Sequence, residues 1–137
     1  MAVSSNKLKE IKALFMTYRN GIIADTLRSA GWTHSVIFGL NLPQITDIAR
    51  QQPAPDVDLA LELWNDRNVR ESSLITPFLL PKDYQQADLL KLLADIQTHE
   101  EADIFAFRHI RHRADAAEVA DKVADEYMAE AIRRFLS

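Results

Sequence analysis

The chain has 137 residues, of which 47% are hydrophobic and 26% charged, which suits one globular domain over residues 1–137 and excludes a disordered chain. Three glycines, five prolines and no cysteine disfavour a turn-rich β fold and exclude disulfides, thiolate metal sites and a cysteine nucleophile. The net charge of -4 excludes the uniformly basic surface of a general nucleic-acid binder.

Apolar residues at helical spacing predict two helices at the start of the chain. The first follows the capping candidates Ser4, Ser5 and Asn6 and is expected to end near Arg19. The second should stop at Gly31, because glycine best tolerates the left-handed conformation that ends many helices.

A connection over Trp32–Leu40 and two short helices are predicted next. Pro43 suits the first turn of one helix, since the N–H that proline lacks would have no partner within the helix there. Asp56 is a candidate cap for the other helix, which should bury the large side chain of Trp64.

Four further helical segments complete the chain. The first, over Val69–Leu80, is expected to bend or end near Thr76 because Pro77 follows. The other three are Asp83–Thr98, His99–His112 and Ala114–Leu136. The last has the clearest apolar spacing, and over residues 114–136 we expect one long C-terminal capping helix.

Together these patterns predict an all-α chain of about eight helices joined by short turns. Antiparallel pairs are expected near Asp56–Leu80 and Asp83–His112. Pairs of this kind, stacked side by side, make a HEAT-like α-α solenoid, which is a right-handed superhelix. A compact irregular bundle is the structural alternative.

Three motifs between Ile22 and Phe107 follow one another in a characteristic order. Phe38-Gly39-Leu40-Asn41-Leu42-Pro43 is a turn that opens a helix, Leu59-Ala60-Leu61-Glu62-Leu63-Trp64 ends the next helix, and Arg70-Glu71 begins a third. In this order and spacing the chain resembles the DNA-alkylation-repair family of HEAT-like glycosylases. The chain is much shorter than a full member of that family.

The resemblance implies removal of alkylated bases from DNA. A basic concave face would grip the DNA backbone, while aromatic residues and an aspartate would stabilise the cationic sugar as the glycosidic bond breaks. The Trp-Asp-x-x-Asp stretch of the family falls on residues 102–106, where Ala102 replaces the tryptophan and Ala106 replaces the catalytic aspartate. Asp103 alone matches, so we assign no catalytic residue.

Cations gather in two segments of the sequence. Lys7, Lys9 and Lys12 lie in the first predicted helix, and Arg108, Arg111 and Arg113 lie in the densest cationic run. These six residues are the candidate nucleic-acid-binding residues. The alternative interpretation of the run is a solvated helix end, whose cations face the negative pole of the helix dipole. Against a net charge of -4, any DNA binding by these residues should be weak and sensitive to salt.

Neither a metal nor a cofactor is predicted. His109 and His112 are three residues apart, but the surrounding residues do not form the His-Glu-x-x-His pattern of a zinc site. His109 is better interpreted as a core histidine that is hydrogen-bonded to backbone. Trp32 and Trp64 are interpreted as packing residues at helix ends rather than as stacking platforms for a base.

The sequence predicts a non-catalytic HEAT-like binding or scaffold module, with a protein or DNA partner on its concave face. The alternative is a DNA-binding or base-excising member of the alkylated-DNA glycosylase family that uses its basic segments on phosphate.

No segment approaches the roughly 18–20 apolar residues of a membrane span, and Met1–Lys12 has no apolar core of a signal peptide. We therefore expect a cytoplasmic protein without membrane contact.

Overall fold

The structure is a computed structural model that describes residues 2–136, with side chains described for residues 6–136. Within residues 2–136 it contains nine α-helices and one 3-10 helix, and its β structure is limited to an isolated parallel bridge between Val36 and Val69. The predicted all-α class is therefore confirmed. Contacts divide the chain into two compact units, residues 1–79 (unit 1) and residues 80–137 (unit 2), and the single domain stays a prediction.

Unit 1 is built from five helices. They are α1 (Ala2–Tyr18), α2 (Gly21–Ser29), α3 (Leu42–Arg50), α4 (Val57–Asn65) and α5 (Arg70–Leu79). Helices α4 and α5 form an antiparallel pair, because the Asp56 N–H donates to the Leu79 carbonyl at one end (2.8 Å). At the other end the Ser72 hydroxyl donates to the Asp66 carboxylate (2.8 Å).

Local capping residues determine where several of these helices begin and end. The Asp56 side chain accepts a hydrogen bond from the backbone of α4, and Pro43 lies in the first turn of α3, both as predicted. Asn41 adds a capping box to α3, since it and Gln44 bond each other's backbone N–H groups. Gly31 follows α2 with φ of 111°, the left-handed conformation expected of it.

The structure differs from two expectations for unit 1. Helix α1 begins at Ala2, so the capping candidates Ser4, Ser5 and Asn6 lie inside the helix. Helix α5 does not end near Thr76 but continues through Pro77 to Leu79, although proline removes one backbone hydrogen bond. Nearly every residue of α5 is buried, so its packing outweighs this local cost.

Unit 2 contains four α-helices and the 3-10 helix. These are α6 (Gln86–Leu93), α7 (His99–Arg108), the 3-10 helix (Ile110–His112), α8 (Ala116–Lys122) and α9 (Glu126–Arg134). Helices α7 and α9 run side by side in the same direction. At their starts the rings of His99 and Tyr127 stack with centroids 3.6 Å apart, and at their ends Phe107 meets Phe135 at 5.1 Å.

The long capping helix predicted over residues 114–136 is two helices. Val123 has extended backbone angles (φ -70°, ψ 140°), and the Asp125 side chain accepts from the Met128 N–H (2.8 Å) to cap a new helix. The apolar spacing continues across this break, so periodicity alone conceals it. Helix α6 is also shorter than its predicted range of Asp83–Thr98.

Candidate functional site

A buried carboxylate, which the sequence does not mark as functional, holds the connection between α2 and α3. The Glu71 side chain is fully buried and accepts from the backbone N–H groups of Phe38 (3.0 Å), Gly39 (3.0 Å) and Leu40 (3.4 Å). Arg70, also buried, donates through Nη1 to Glu71 (2.8 Å) and to the Leu40 carbonyl (2.7 Å). Two of the motifs behind the family resemblance therefore bind each other.

The same connection approaches the start of α2 so closely that only glycine fits at position 39. Gly39 has φ of 85°, and a Cβ there would collide with the backbone oxygen of Asn20 and lie 2.9 Å from the Ala24 nitrogen. The Asn20 N–H also donates to the Phe38 carbonyl (2.7 Å). The start of α2 and the connection thus form one closely packed corner of unit 1.

The positions that the resemblance assigns to catalysis lie in the interior of unit 2. Ala102 and Ala106 are 1% and 0% exposed on α7, so their methyl groups contribute to packing. Asp103, the matching acid, is half-buried and accepts from the Tyr127 hydroxyl, which lies 3.0 Å from both carboxylate oxygens. Its carboxylate is therefore already engaged with a side chain of α9.

The N-terminal lysines differ in how far they are available to a ligand. Lys7 forms an ion pair with Asp56 (2.9 Å) and Lys12 with Asp66 (3.2 Å), whereas Lys9 is exposed. Burial alone would raise the pKa of the Asp56 carboxyl, but the hydrogen bond from Lys7 helps to hold that pKa below its ordinary value. Two of the three predicted cations therefore link α1 to the two ends of α4.

Arg113 is a buried residue and not a surface cation. Its side chain is 3% exposed and donates to Asp115 through Nε (2.7 Å) and Nη2 (3.0 Å). The pKa of Asp115 is lowered to about 2, and these hydrogen bonds from Arg113 are the largest cause. The predicted run of surface cations is therefore interrupted at this residue.

The other two arginines of the run lie on an aromatic ring. The Cζ of Arg111 is 3.9 Å and that of Arg108 is 5.0 Å from the centroid of Phe107. Phe135 meets the same ring, and Arg134 of α9 lies 5.9 Å from the Phe135 centroid. We call these five residues the arginine–phenylalanine cluster.

Large apolar side chains are exposed near the packed corner of unit 1. We call this set the apolar corner: Met16, Tyr18, Ile22, Val36 and Leu42. Ile22 is the extreme case, with 80% of its surface exposed. These side chains lie at the end of α1, at the start of α2 and along the connection into α3. The Asn20–Phe38 hydrogen bond and the Phe15–Phe38 ring contact join these segments.

His109 is a core histidine, as predicted. It is 2% exposed, and its Nε2 lies 3.0 Å from the Pro81 carbonyl, to which it donates. Burial lowers its pKa.

Within residues 2–136 no group of three potential ligand side chains is placed to hold a metal ion. In the same range no helix combines the length and the apolar character needed to span a bilayer.

Comparison of the chain with models of known families, with curated proteins and with solved structures finds no match in any of the three. The likeness to the alkylation-repair glycosylases therefore depends on the sequence motifs alone. Function has to be argued from the surfaces and the side chains of the two units.

Proposed function

We propose that the chain is a non-catalytic HEAT-like binding or scaffold module, similar in design to the DNA-alkylation-repair fold, and that its partner is a protein. The observation that carries this proposal is the apolar corner, in which Ile22 is 80% exposed. Exposed apolar side chains that lie close together mark protein-binding surfaces, whereas a DNA backbone is held by cations.

The directions of the helices support a repeat architecture. In unit 1, α4 and α5 are antiparallel, while Lys7 and Lys12 pair with the start and the end of α4, so α1 runs parallel to α4. In unit 2, α7 and α9 are parallel neighbours. In HEAT-like stacking, each repeat is an antiparallel pair of helices. The corresponding helices of neighbouring pairs run parallel to each other.

The buried carboxylate supports a role in binding, because it holds the backbone beside part of the apolar corner. Glu71 fixes the backbone that leads from Phe38 to Leu40, next to the exposed Leu42. A surface that is ordered before the partner arrives loses less conformational entropy on binding. The hydrogen bonds of Glu71 therefore favour recognition of a partner and do not require a catalytic reaction at the site.

The interior positions of Ala102 and Ala106 support the absence of catalysis. Neither methyl group can stabilise a sugar cation, and loss of one such electrostatic contribution lowers a rate by about 10²–10³. We expect no release of methylated bases from alkylated DNA over many enzyme equivalents of substrate, measured by chromatography of the freed bases. Multiple turnovers would overturn this part of the proposal.

The binding role is tested by placing a photo-crosslinking amino acid at position 22 and, as a matched control, at position 47. Asp47 is exposed on α3 and does not belong to the apolar corner. In extracts of cells that produce the protein, we expect a protein adduct at position 22 that unlabelled wild-type chain competes away, and none at position 47. The substitution Leu42→Glu should abolish the adduct at position 22.

Two results would contradict the proposal of a protein partner. One is equal crosslinking at positions 22 and 47, because random collisions would then explain the adduct. The other is an adduct at position 22 that nuclease removes, since the partner would then be a nucleic acid. Titration of a labelled DNA duplex at two ionic strengths tests that alternative directly, and we expect weak binding that disappears at moderate salt.

A further inference from the structure

The start of α2 carries an asparagine that is followed directly by a glycine. Asn20 is the N-cap residue of α2 and Gly21 is the first residue of the helix, and both are exposed. A backbone nitrogen can attack the side-chain amide of the asparagine before it, and glycine obstructs this attack least because it has no Cβ. The pair therefore has the chemistry of a deamidation site.

The fold does not require a glycine at position 21. Positive φ angles occur at Gly31 and Gly39 but not at Gly21, and a Cβ added to Gly21 would meet no atom within 4 Å. Alanine would also favour the helix more than glycine does. The distinctive effect of a glycine at this position is the access that it leaves to the amide of Asn20.

We propose that Asn20 is a modification site, at which the side-chain amide is converted to aspartate or isoaspartate without an enzyme. The Gly21 nitrogen forms a bond to the Asn20 Cγ, the Cγ–Nδ2 bond breaks, and the proton of the Gly21 N–H leaves with Nδ2 as ammonia. Water then opens the resulting five-membered imide. Cleavage of the new bond gives aspartate, and cleavage of the original peptide bond gives isoaspartate.

The packed corner of unit 1 controls the rate of this reaction. The Asn20 Oδ1 accepts from the N–H groups of Ile22 (3.0 Å) and Ile23 (3.2 Å), and the Asn20 N–H donates to the Phe38 carbonyl (2.7 Å). For the ring to close, the side chain has to leave these two N–H groups and turn its Cγ to the Gly21 nitrogen. The reaction therefore proceeds when the start of α2 opens, and its rate follows the population of that open state.

The two products have different effects on the corner. Aspartate keeps an accepting oxygen at the N-cap and adds a negative charge at the positive end of the helix dipole, so it preserves the cap. Isoaspartate lengthens the main chain by one carbon where the Asn20 carbonyl already lies against Gly39, so it should displace Ile22 and loosen the corner. The expectation that isoaspartate also weakens partner binding rests on the proposed function of the apolar corner.

The test is peptide mapping of the full chain after incubation at neutral pH and body temperature. Mass spectrometry follows the tryptic peptides, and chromatography separates their aspartate and isoaspartate forms. We expect conversion in the peptide of residues 20–28 and none in the peptide of residues 29–50. The second peptide is an internal control, because Asn41 is also an exposed N-cap residue but precedes Leu42 instead of a glycine.

Two variants test the chemistry and the control by the corner separately. Gly21→Ala should slow the conversion about tenfold and leave the circular dichroism unchanged, because the added Cβ obstructs the attack but touches nothing in the fold. Glu71→Gln should accelerate the conversion about tenfold, because it weakens the hold on the Phe38 backbone that binds Asn20. Gly21→Ala remains informative even if Glu71→Gln fails to fold.

Three results would each overturn the proposal: conversion of Asn41 as fast as that of Asn20, equal rates in Gly21→Ala and the wild type, or conversion only in urea. The mapping needs no partner, so it stands apart from the crosslinking at position 22. A freshly prepared chain that gives no adduct at position 22 would count against the proposed function alone.

Discussion

Replacement of Glu71 by alanine tests whether the buried carboxylate holds unit 1 together. The substitution removes the acceptor of three backbone N–H groups and the carboxylate partner of Arg70 at 2.8 Å. Removal of one member of a buried ion pair costs about 3–5 kcal/mol, and each buried N–H left without an acceptor costs about 1–3 kcal/mol. These losses are not additive, because water can enter the space that the side chain leaves. We expect the free energy of unfolding to fall by about 4 kcal/mol.

The assay is urea unfolding followed by circular dichroism at 222 nm, with the combined fluorescence of Trp32 and Trp64 as a second probe. Glu71→Gln keeps the size of the side chain and one accepting oxygen, so it should cost about half as much as Glu71→Ala. Glu10→Gln, on the exposed face of α1, is the control and should change stability by less than about 0.5 kcal/mol. A loss below about 1 kcal/mol for Glu71→Ala would refute the reasoning.

Three further predictions concern single residues. Gly39→Ala should lower the melting temperature well below that of Gly31→Ala, because both glycines have positive φ but only at position 39 does an added Cβ meet backbone. Val119→Asp should unfold unit 2, since Val119 is fully buried, whereas Val123→Asp at the partly exposed break should leave a folded chain by circular dichroism. Because burial lowers the pKa of His109, the unfolded state takes up a proton first, so stability should fall as the pH drops below about 6.5. His109→Gln should flatten this dependence in urea titrations between pH 7 and pH 5, and an unchanged slope would contradict it.

The sequence by itself determined the helical class and several helix boundaries of this protein. Asp56 caps α4, Pro43 lies in the first turn of α3 and Gly31 follows α2 in the left-handed conformation, all as their residue types predict. These features depend on interactions between residues at most four positions apart, which the sequence displays directly. The burial of Trp64 and of His109 was predicted for a similar reason, since each lies on an apolar helix face.

The candidate sites depended far more on the tertiary structure. Six cations look equivalent in the sequence, yet Lys7 pairs with an acid 49 residues away and Arg113 points into the interior of unit 2. Arg108 and Arg111 lie on the ring of Phe107, and only the tertiary structure shows that α9 brings Phe135 to the same ring. The family resemblance implies a DNA-gripping concave face, which stays a prediction, whereas the hydrogen bond from the Phe38 N–H to Glu71 is visible only in the structure.

The break between α8 and α9 and the passage of α5 through Pro77 also required the tertiary structure. The apolar spacing is unchanged across residues 123–125, yet α8 packs against α6 and α9 packs against α7, and Asp125 caps the second of these helices. At Pro77, the burial of nearly the whole helix outweighs one lost hydrogen bond. In each case a local preference of about one hydrogen bond competes with contacts between residues distant in the chain, and the sum of those contacts decides the structure.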